Sequence, residues 1–530
     1  MCGVVGYVGH REAHEVLLTN MEYLQQRGYE SAGVAVMMAD GNLESEKVIK
    51  DDRGPAPVTR LWASMAKQTF EGKIGIGHTR WTTHGTVSLA NAHPHSDPMG
   101  RVWLVHNGQI DNVQDLKREF FPNAMFGGET DSELIAYLVE HFFCKGVSLR
   151  EAVQQAVNHL SGTYALAVIS PEEPDKIVCA CLGSKLLVGL GKDECFIASD
   201  EEGIASFTNQ VVDLRDNAKG GEVVGVSALG IKGGTYEPRE IPWDISMASK
   251  KPYPHFMIKE IMDQPEAALH AVRDGERLDV SAGRVRLHGP EQFERRLREI
   301  EEVVLVGCGT AFHAAQLGER FLYEIGEVPR VRAFVASEFS TDRYLLDPRK
   351  TLLVAVSQSG TTFDTAKVVE QAKKLGILTC GVINRVESQI ARMCDFGVYC
   401  HGGPEISVAS TKAFISQTIV LYQLAVFMAQ LRTGLGVSPV ELKDLLTLPH
   451  LMRKTLAFDM NQDGEYLRGA PQWGYKKVID PLLPHFSRAR FVQFIGCGDS
   501  YIIDKEAALK FREITYVPST GIQGGELKQG

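Results

Sequence analysis

Met1-Cys2-Gly3-Val4-Val5-Gly6-Tyr7-Val8-Gly9 opens the chain, and its second residue governs how the rest is read. A cysteine directly after an initiator Met becomes the first residue once that Met is trimmed, so a thiol and a free amine then share one residue. An α-amino group titrates at about 7.7–8.0. Part of it is neutral near pH 7 and can take the thiol proton, which is what a nucleophilic cysteine requires. The alternative is an ordinary small residue at the start of an edge strand. The remaining segments decide between the two.

Length and charge frame the problem. At 530 residues the chain exceeds one hydrophobic core, and at roughly 150 residues per domain two to four domains are expected. The 66 acidic and 56 basic residues leave a net charge of −10, which disfavours a nucleic-acid or membrane-surface partner. Met1 to Leu18 lacks the pattern of a secretory signal, and no uncharged run of about eighteen apolar residues occurs, so a cytoplasmic location is expected. The cysteines have no framework spacing: Cys179 and Cys181 share one face of a strand, while Cys308 and Cys497 sit in Gly-Cys-Gly turns. All but Cys2 read as reduced thiols. For a metal, His93-Pro94-His95-Ser96-Asp97 is the strongest candidate, and it reads better as a turn.

Up to about Trp243, short alternating strands dominate: Val4–Val8, Gly33–Met37, Ile74–His78, Trp103–His106, Tyr164–Ser170, Leu186–Leu190, Cys195–Ala198 and Val223–Val226. Helices are expected at Glu12–Gln26, Asp131–Phe143 and Leu149–Leu160. The mixture predicts antiparallel sheets with helices outside them, an α+β or layered α/β/β/α domain.

Three polar clusters interrupt these strands. Gly77 to Gly85 concentrates Arg80, Trp81 and His84 in one loop, suited to binding or to an ordinary surface ion pair. His106-Asn107-Gly108 sets an amide side chain beside a glycine N–H, a pair able to hold an oxyanion, although Asn-Gly alone reads first as a hairpin turn. Thr130-Asp131-Ser132-Glu133 reads alone as a helix cap.

Taken in order with Cys2 to Gly6, Arg27-Gly28-Tyr29-Glu30-Ser31-Ala32-Gly33 and Asn91-Ala92-His93-Pro94-His95, these segments resemble the glutaminase domain of N-terminal-nucleophile amidotransferases. The resemblance implies that Cys2 attacks the glutamine side-chain amide, and that Arg80 and Asp131 hold the substrate's α-carboxylate and α-amine. It further implies that Asn107 and Gly108 form the oxyanion hole, that Trp81 gates ammonia, and that His84 lines the same loop. Glu30 stands where the pattern usually has Asp and keeps the charge.

Between Ile231 and Pro254, four prolines and two adjacent glycines mark a linker. Helices Phe256–Asp274 and Pro290–Ile300 are expected beyond it. The architecture then changes: strand Val303–Val306 runs into Gly307-Cys308-Gly309-Thr310 and helix Ala311–Tyr323, and strand Leu352–Val356 runs into Ser357-Gln358-Ser359-Gly360-Thr361-Thr362 and a helix to Lys374. With Leu378–Ile383 and Gly397–Cys400, this rhythm predicts a doubly wound parallel sheet with ligands at the carboxyl ends of its strands. Phe312 stands where a dinucleotide motif needs glycine, and no Gly-Lys-Ser/Thr marks a Walker loop. The serine-rich loop instead brings four hydroxyls to a helix N-terminus, either a phosphate cradle or a solvated cap. Strand Arg490–Ile495, Gly496-Cys497-Gly498 and helix Tyr501–Arg512 repeat the first arrangement, and the sequence stops shortly afterwards, as if inside its last subdomain.

This half resembles the sugar isomerase (SIS) fold. Gly307–Thr310, Ser357–Thr362, Pro404–Phe414 and Glu506–Ile514 match its amidotransferase branch, so the whole is identified as a member of the isomerising amidotransferases. The implied domains are a glutaminase over 1–243, a linker over 244–255, a first SIS subdomain over 256–440 and an incomplete second one over 441–530. The implied reaction is glutamine hydrolysis with ammonia channelled to fructose 6-phosphate, giving glucosamine 6-phosphate, without cofactor or metal, in a homodimer.

Carried over by motif, Ser357, Gln358, Ser359 and Thr362 hold the phosphate, and Thr310, Val408 and Ser410 contact the sugar. Glu513 moves the proton between C1 and C2, and Lys510 is the second catalytic position. Gln529 stands where the family has a His assigned to ring opening, and the family's tail Lys, which forms a Schiff base with the ketose, lies beyond Gly530. These departures favour an alternative: a glutaminase whose sugar-phosphate-binding half is regulatory. They also carry the expectation that the segment after about Ser487 frays and that synthesis is weak. The acidic loop of phosphoribosyl amidotransferases and the Ser-Gly-Gly loop of asparagine synthetases are missing.

Overall fold

The computed structural model describes residues 2–529 apart from 26–27, 52–53, 68–69, 82–84, 215–221, 235, 242–249, 251, 342, 345, 387 and 457–479. Residues 1–248 and 249–530 form separate compact units. Much of the expected junction lies outside the described residues.

In the first unit, strand Gly3–Val8 runs at the centre of an eight-stranded sheet, antiparallel to Gly72–Arg80 on one side and Glu194–Ala198 on the other. A six-stranded antiparallel sheet carries Trp103–Ile110 and Gly162–Ile169 as neighbours. Alternation along the strands builds the layers. Val5 and Tyr7 pack under helices Ala13–Leu24 and Pro57–Met65, whereas Val4 and Val8 face Val105, Ala165 and Ala167 of the second sheet. On that sheet's other side, Leu104, Leu166 and Val168 pack under helices Asp131–Phe143 and Leu149–His159. The result is the expected α/β/β/α stack. Cys179 and Cys181 lie together between the sheets.

The second unit contains a five-stranded, wholly parallel sheet, ordered Arg330–Val335, Glu302–Gly307, Thr351–Ser357, Leu378–Ile383, Phe396–Tyr399. Val303 and Leu305 face helices Thr310–Glu324 and Lys412–Thr433, and Val304 and Val306 face helix Phe363–Lys374. Helix Lys412–Thr433 is long and apolar enough to cross a membrane, but most of it is buried as the core helix of this unit. Near the C-terminus, Val492–Gly496 and Ser519–Gln523 form a parallel pair packed on helix Asp499–Thr515. Gly309 (φ 56°, ψ −126°) and Gly498 (φ 60°, ψ −128°) turn almost identically, so the two Gly-Cys-Gly repeats share one left-handed backbone.

Several expectations need correction. Phe256–Asp274 is not one helix: Phe256–Met262 and Gln264–Ala271 are separated at Asp263, and Pro265 sits in the first turn of the second. Pro290–Ile300 is a 3-10 turn followed by the short helix Glu294–Arg298. Asn107-Gly108 is no hairpin turn, because the strand continues to Ile110, paired with Gly162–Ala165. The half-buried strand Leu43–Ile49 carries too many charges for its period to stand out.

Candidate active site

Cys2 immediately precedes the central strand of the first unit. Its neighbour must be glycine, since a Cβ on Gly3 would fall 2.6 Å from Thr79 Oγ1 and 2.8 Å from Leu24 Cβ. Register pairs Gly3 with Thr79, which brings the following residues to the nucleophile. The Trp81 backbone N–H donates to Cys2 Sγ at 3.2 Å, and the thiol donates to the Trp81 carbonyl at 3.3 Å. The Trp81 indole is half exposed and stacks on Tyr29 at 6.3 Å.

Burial raises the Cys2 thiol above its ordinary value, against the opposing pull of the Trp81 N–H and the Arg80 guanidinium. The thiolate is therefore not formed in advance, and a base must take the proton during attack. Arg80 ends its strand only 6% exposed, within the fields of Cys2, Glu30, Asp131 and Glu129. Its guanidinium presents the forked donor pair that binds a carboxylate in two hydrogen bonds.

Asn107 Nδ2 donates to the Cys2 carbonyl at 2.8 Å, which places the amide at the nucleophile. Gly108 has φ 144°, and a Cβ there would meet the Thr163 carbonyl at 2.1 Å, so no other residue fits. Asp131 opens helix Asp131–Phe143, its Oδ2 accepting the Ile110 N–H at 3.0 Å. Burial opposes its ionisation, but the His106 ring at 3.7 Å, the Ile110 N–H and the Ser132 hydroxyl outweigh that and hold the carboxyl at about 2. It is an anion ready for an ammonium. Thr130 stands at the helix N-cap, but its hydroxyl bonds His95 Nε2 at 3.1 Å rather than capping the helix. His84 lies outside the described residues.

Sequence reasoning missed the histidines behind this site. His78 Nε2 lies 2.9 Å from Asn107 Oδ1, and His78 stacks on His93 with ring centroids 4.0 Å apart. His93 Nδ1 accepts the His106 N–H at 3.2 Å. Burial holds His78 and His95 at about 3 and His93 well below its ordinary value, so all three are neutral. The chain bends at His93 as expected and then enters the two-residue strand His95–Ser96, and both histidines are buried in the core.

In the second unit, the serine-rich loop joins Thr351–Ser357 to helix Phe363–Lys374. Ser357 Oγ lies 3.2 Å from Thr362 Oγ1 and accepts the Gly360 N–H at 2.9 Å; Ser359 Oγ accepts the Thr361 N–H at 3.2 Å. Thr362 occupies the N-cap without a side-chain capping bond, so the hydroxyls serve the loop and not the helix. Gly360 has φ 62°, and a Cβ there would meet Ser388 Oγ at 1.8 Å. The Gln358 carbonyl accepts the Arg385 N–H at 3.2 Å.

Thr310 starts its helix at the same edge of the sheet. Its hydroxyl accepts from Lys510 Nζ at 2.8 Å and donates to Glu506 Oε1 at 2.9 Å, and Lys510 pairs with Glu513 at 2.7 Å. His313 Nδ1 lies 2.7 Å from Glu506 Oε2. Burial opposes the Glu506 charge, yet His313, Lys510 and Thr310 together hold its carboxyl below the ordinary range. Glu506 and His313 also went unrecognised in the sequence. Helical spacing was the available signal: Glu506, Lys510 and Glu513 lie four and three residues apart, as do Thr310 and His313 at three.

Val408 is half exposed, and Ser410 Oγ donates to Glu405 at 2.7 Å, both on the loop after strand Phe396–Tyr399. Gln529 lies in a turn, its N–H donating to the Glu526 carbonyl at 2.9 Å. Among the described residues, no group of three or more His, Cys, Asp or Glu could hold a metal.

The glutamine amidotransferase domain family matches residues 78–205, and the SIS domain family matches residues 296–427. A glutamine--fructose-6-phosphate aminotransferase [isomerizing] of Clostridium tetani is 35% identical over 542 residues, covering 100% of this chain and 83% of that relative. Enzymes of the same name from Chlorobaculum tepidum and Pyrococcus horikoshii are 36% and 35% identical with the same coverage. The chain belongs to this family. Its α/β multidomain architecture, antiparallel in the first unit and doubly wound in the second, is that of an amidotransferase joined to a sugar isomerase, and the family is one of transferases.

Proposed function

We propose that the chain hydrolyses glutamine in its first unit and uses the ammonia to aminate and isomerise fructose 6-phosphate in its second, yielding glucosamine 6-phosphate. With Met1 removed, the Cys2 amine takes the thiol proton as sulfur attacks the side-chain carbonyl carbon. The C=O pair moves onto oxygen, where Asn107 Nδ2 and the Gly108 N–H meet the oxyanion. Collapse expels ammonia, with the proton returned by the amine, and leaves a thioester that water cleaves to glutamate. Arg80 and Asp131 hold the substrate's backbone groups, Trp81 gates the ammonia, and His84 lines the loop.

In the second unit Ser357, Gln358, Ser359 and Thr362 hold the phosphate, while Thr310, Val408 and Ser410 contact the sugar. Ammonia adds at the C2 carbonyl with loss of water, and Glu513 moves a proton between C1 and C2 beside Lys510. The domain boundaries proposed above, a homodimer and a cytoplasmic location complete the reading.

The observation that carries it is the Asn107 amide on the Cys2 carbonyl, in a chain related over its whole length to this family. The test is incubation with glutamine and fructose 6-phosphate: glucosamine 6-phosphate should form together with glutamate. Glutamate without hexosamine would favour the second reading, a glutaminase with a regulatory sugar-phosphate half. Gln529 supports that reading, since an amide cannot exchange protons near pH 7.

A further inference from the structure

The loop between strand Phe396–Tyr399 and helix Lys412–Thr433 has no regular structure over residues 401–411, and it carries Val408 and Ser410. Side chains hold it. Asn384 takes the Gly402 N–H at 2.7 Å and donates to the Gly403 carbonyl at 2.8 Å. Glu405 takes the Ser410 hydroxyl at 2.7 Å and the Thr411 and Ala413 N–H groups at 2.7 and 3.2 Å.

The remaining hold comes from far away in sequence. Glu260, on helix Phe256–Met262, accepts the Ile406 and Ser407 N–H groups at 2.5 and 3.0 Å through Oε1, and bonds the Ser407 hydroxyl through Oε2. Its side chain belongs to a residue only 2% exposed, so these bonds must satisfy it without water. No element other than this helix supplies partners to Ile406 and Ser407 among the described hydrogen bonds.

We propose that Glu260 is a positioning residue for the sugar site: it shapes the 404–411 loop so that Val408 and Ser410 meet fructose 6-phosphate. The inference rests on the reading of that loop as a sugar contact. Burial and the neighbouring Glu405 carboxylate raise the Glu260 carboxyl to about 7. Lys412, paired with Asp263 at 3.5 Å, and Lys259 are the other charges around this carboxylate pair. In the neutral form Oε2–H donates to Ser407, whose hydroxyl in turn reaches the Ala409 carbonyl at 3.2 Å. Raising the pH through about 7 removes that proton and sets two carboxylates side by side, so the ordered loop is favoured below the transition and weakened above it.

Calorimetric titration of the whole chain with fructose 6-phosphate tests this, using Glu260→Ala, Glu260→Gln and the double variant Ser357→Ala/Ser359→Ala. Glu260→Ala strands two backbone donors and should weaken binding by about tenfold or more. Glu260→Gln keeps an acceptor for both N–H groups and a donor for Ser407, so it should bind as wild type below pH 6 and lose the part of the pH dependence that the wild type shows near pH 7. That profile would not move if Glu260 only stabilised the fold, and it can be read even if Glu260→Ala fails to fold. Wild-type affinity in Glu260→Ala, or a Glu260→Gln as weak as Glu260→Ala, overturns the inference while the double variant still reports on the sugar site. Unchanged binding in the double variant would instead overturn the site reading, and the inference with it.

Discussion

His78 Nε2 and Asn107 Oδ1 are 2.9 Å apart, and this one bond decides which way the Asn107 amide faces. Because Asn107 Nδ2 donates to the Cys2 carbonyl, Oδ1 is the acceptor and His78 must carry its hydrogen on Nε2. A neutral, fully buried imidazole stacked on His93 cannot rotate away to accept instead. The oxyanion donor is thus aimed from behind.

Replacing His78 with Phe frees the amide to turn its carbonyl toward the oxyanion. Glutaminase kcat should fall by about tenfold to a hundredfold, part of the loss seen when such a donor is removed. KM for glutamine should change little. His78→Gln, which can restore a donor at similar reach, should recover most of it. Iodoacetamide labelling of Cys2 at the wild-type rate in both variants would show the thiol intact; equal kcat in His78→Phe and wild type would refute the aiming role.

Cys2→Ala should abolish glutamine hydrolysis and leave fructose 6-phosphate affinity intact in calorimetry, because the two sites lie in separate compact units. Cys2→Ser keeps at most a trace. Mass spectrometry of active protein should find Cys2 at the N-terminus, and an active preparation retaining Met1 would exclude the α-amine as base.

In the hydroxyl loop, Ser357→Ala with Ser359→Ala removes two donors to a phosphate dianion, each worth about 1.5–3 kcal/mol. Fructose 6-phosphate binding should weaken at least tenfold by calorimetry, about 1.4 kcal/mol. Unchanged affinity would place the phosphate elsewhere.

Mild acid should melt the glutaminase unit. His78 and His95 titrate at about 3 when folded, against about 6.5 unfolded, so the unfolded chain takes up their protons first. Stability is full above about 6.5 and falls as pH drops toward about 3, each histidine costing about 2 kcal/mol at pH 5. Asp131 has the usual carboxylate sign: its stabilisation is present above about 3.9 and is lost only as pH falls toward about 2. It should therefore contribute equally at pH 7 and pH 5, leaving the difference between them to the histidines. Scanning calorimetry at pH 7 and pH 5 should show the glutaminase transition drop; equal midpoints would contradict it.

Much of the architecture was legible because burial leaves a period. Val4, Val5, Tyr7 and Val8 alternate between two cores, and Val303 to Val306 form an unbroken apolar run between helices on both faces, so strand type and sheet class could be read from residue order. Charged edge strands such as Leu43–Ile49 carry no such period. The helix expected over Phe256–Asp274 failed at Asp263 because apolar spacing continues across a proline that the backbone cannot pass smoothly.

Of the residues that touch substrate in the proposed reaction, Cys2 before Gly3, Asn107 before Gly108 and Ser357 at the end of a buried strand stand where local chemistry offers a role but does not fix it. It was their order along the chain and the family resemblance that pointed to them and to Asp131, Val408, Ser410, Lys510 and Glu513. Their supports were open to neither reading. His78 looks like any polar residue in a strand, and Glu260 and Glu506 look like solvated charges on helices. What sets them apart is burial against a partner 29, 146 or 196 residues away: Asn107 for His78, Ile406 for Glu260 and Thr310 for Glu506. Local order determined the strands and sheets through their period, and the succession of motifs pointed to which groups do chemistry. Only the tertiary structure decided which groups aim them, because desolvation and a fixed hydrogen-bond direction exist only once distant segments are packed together.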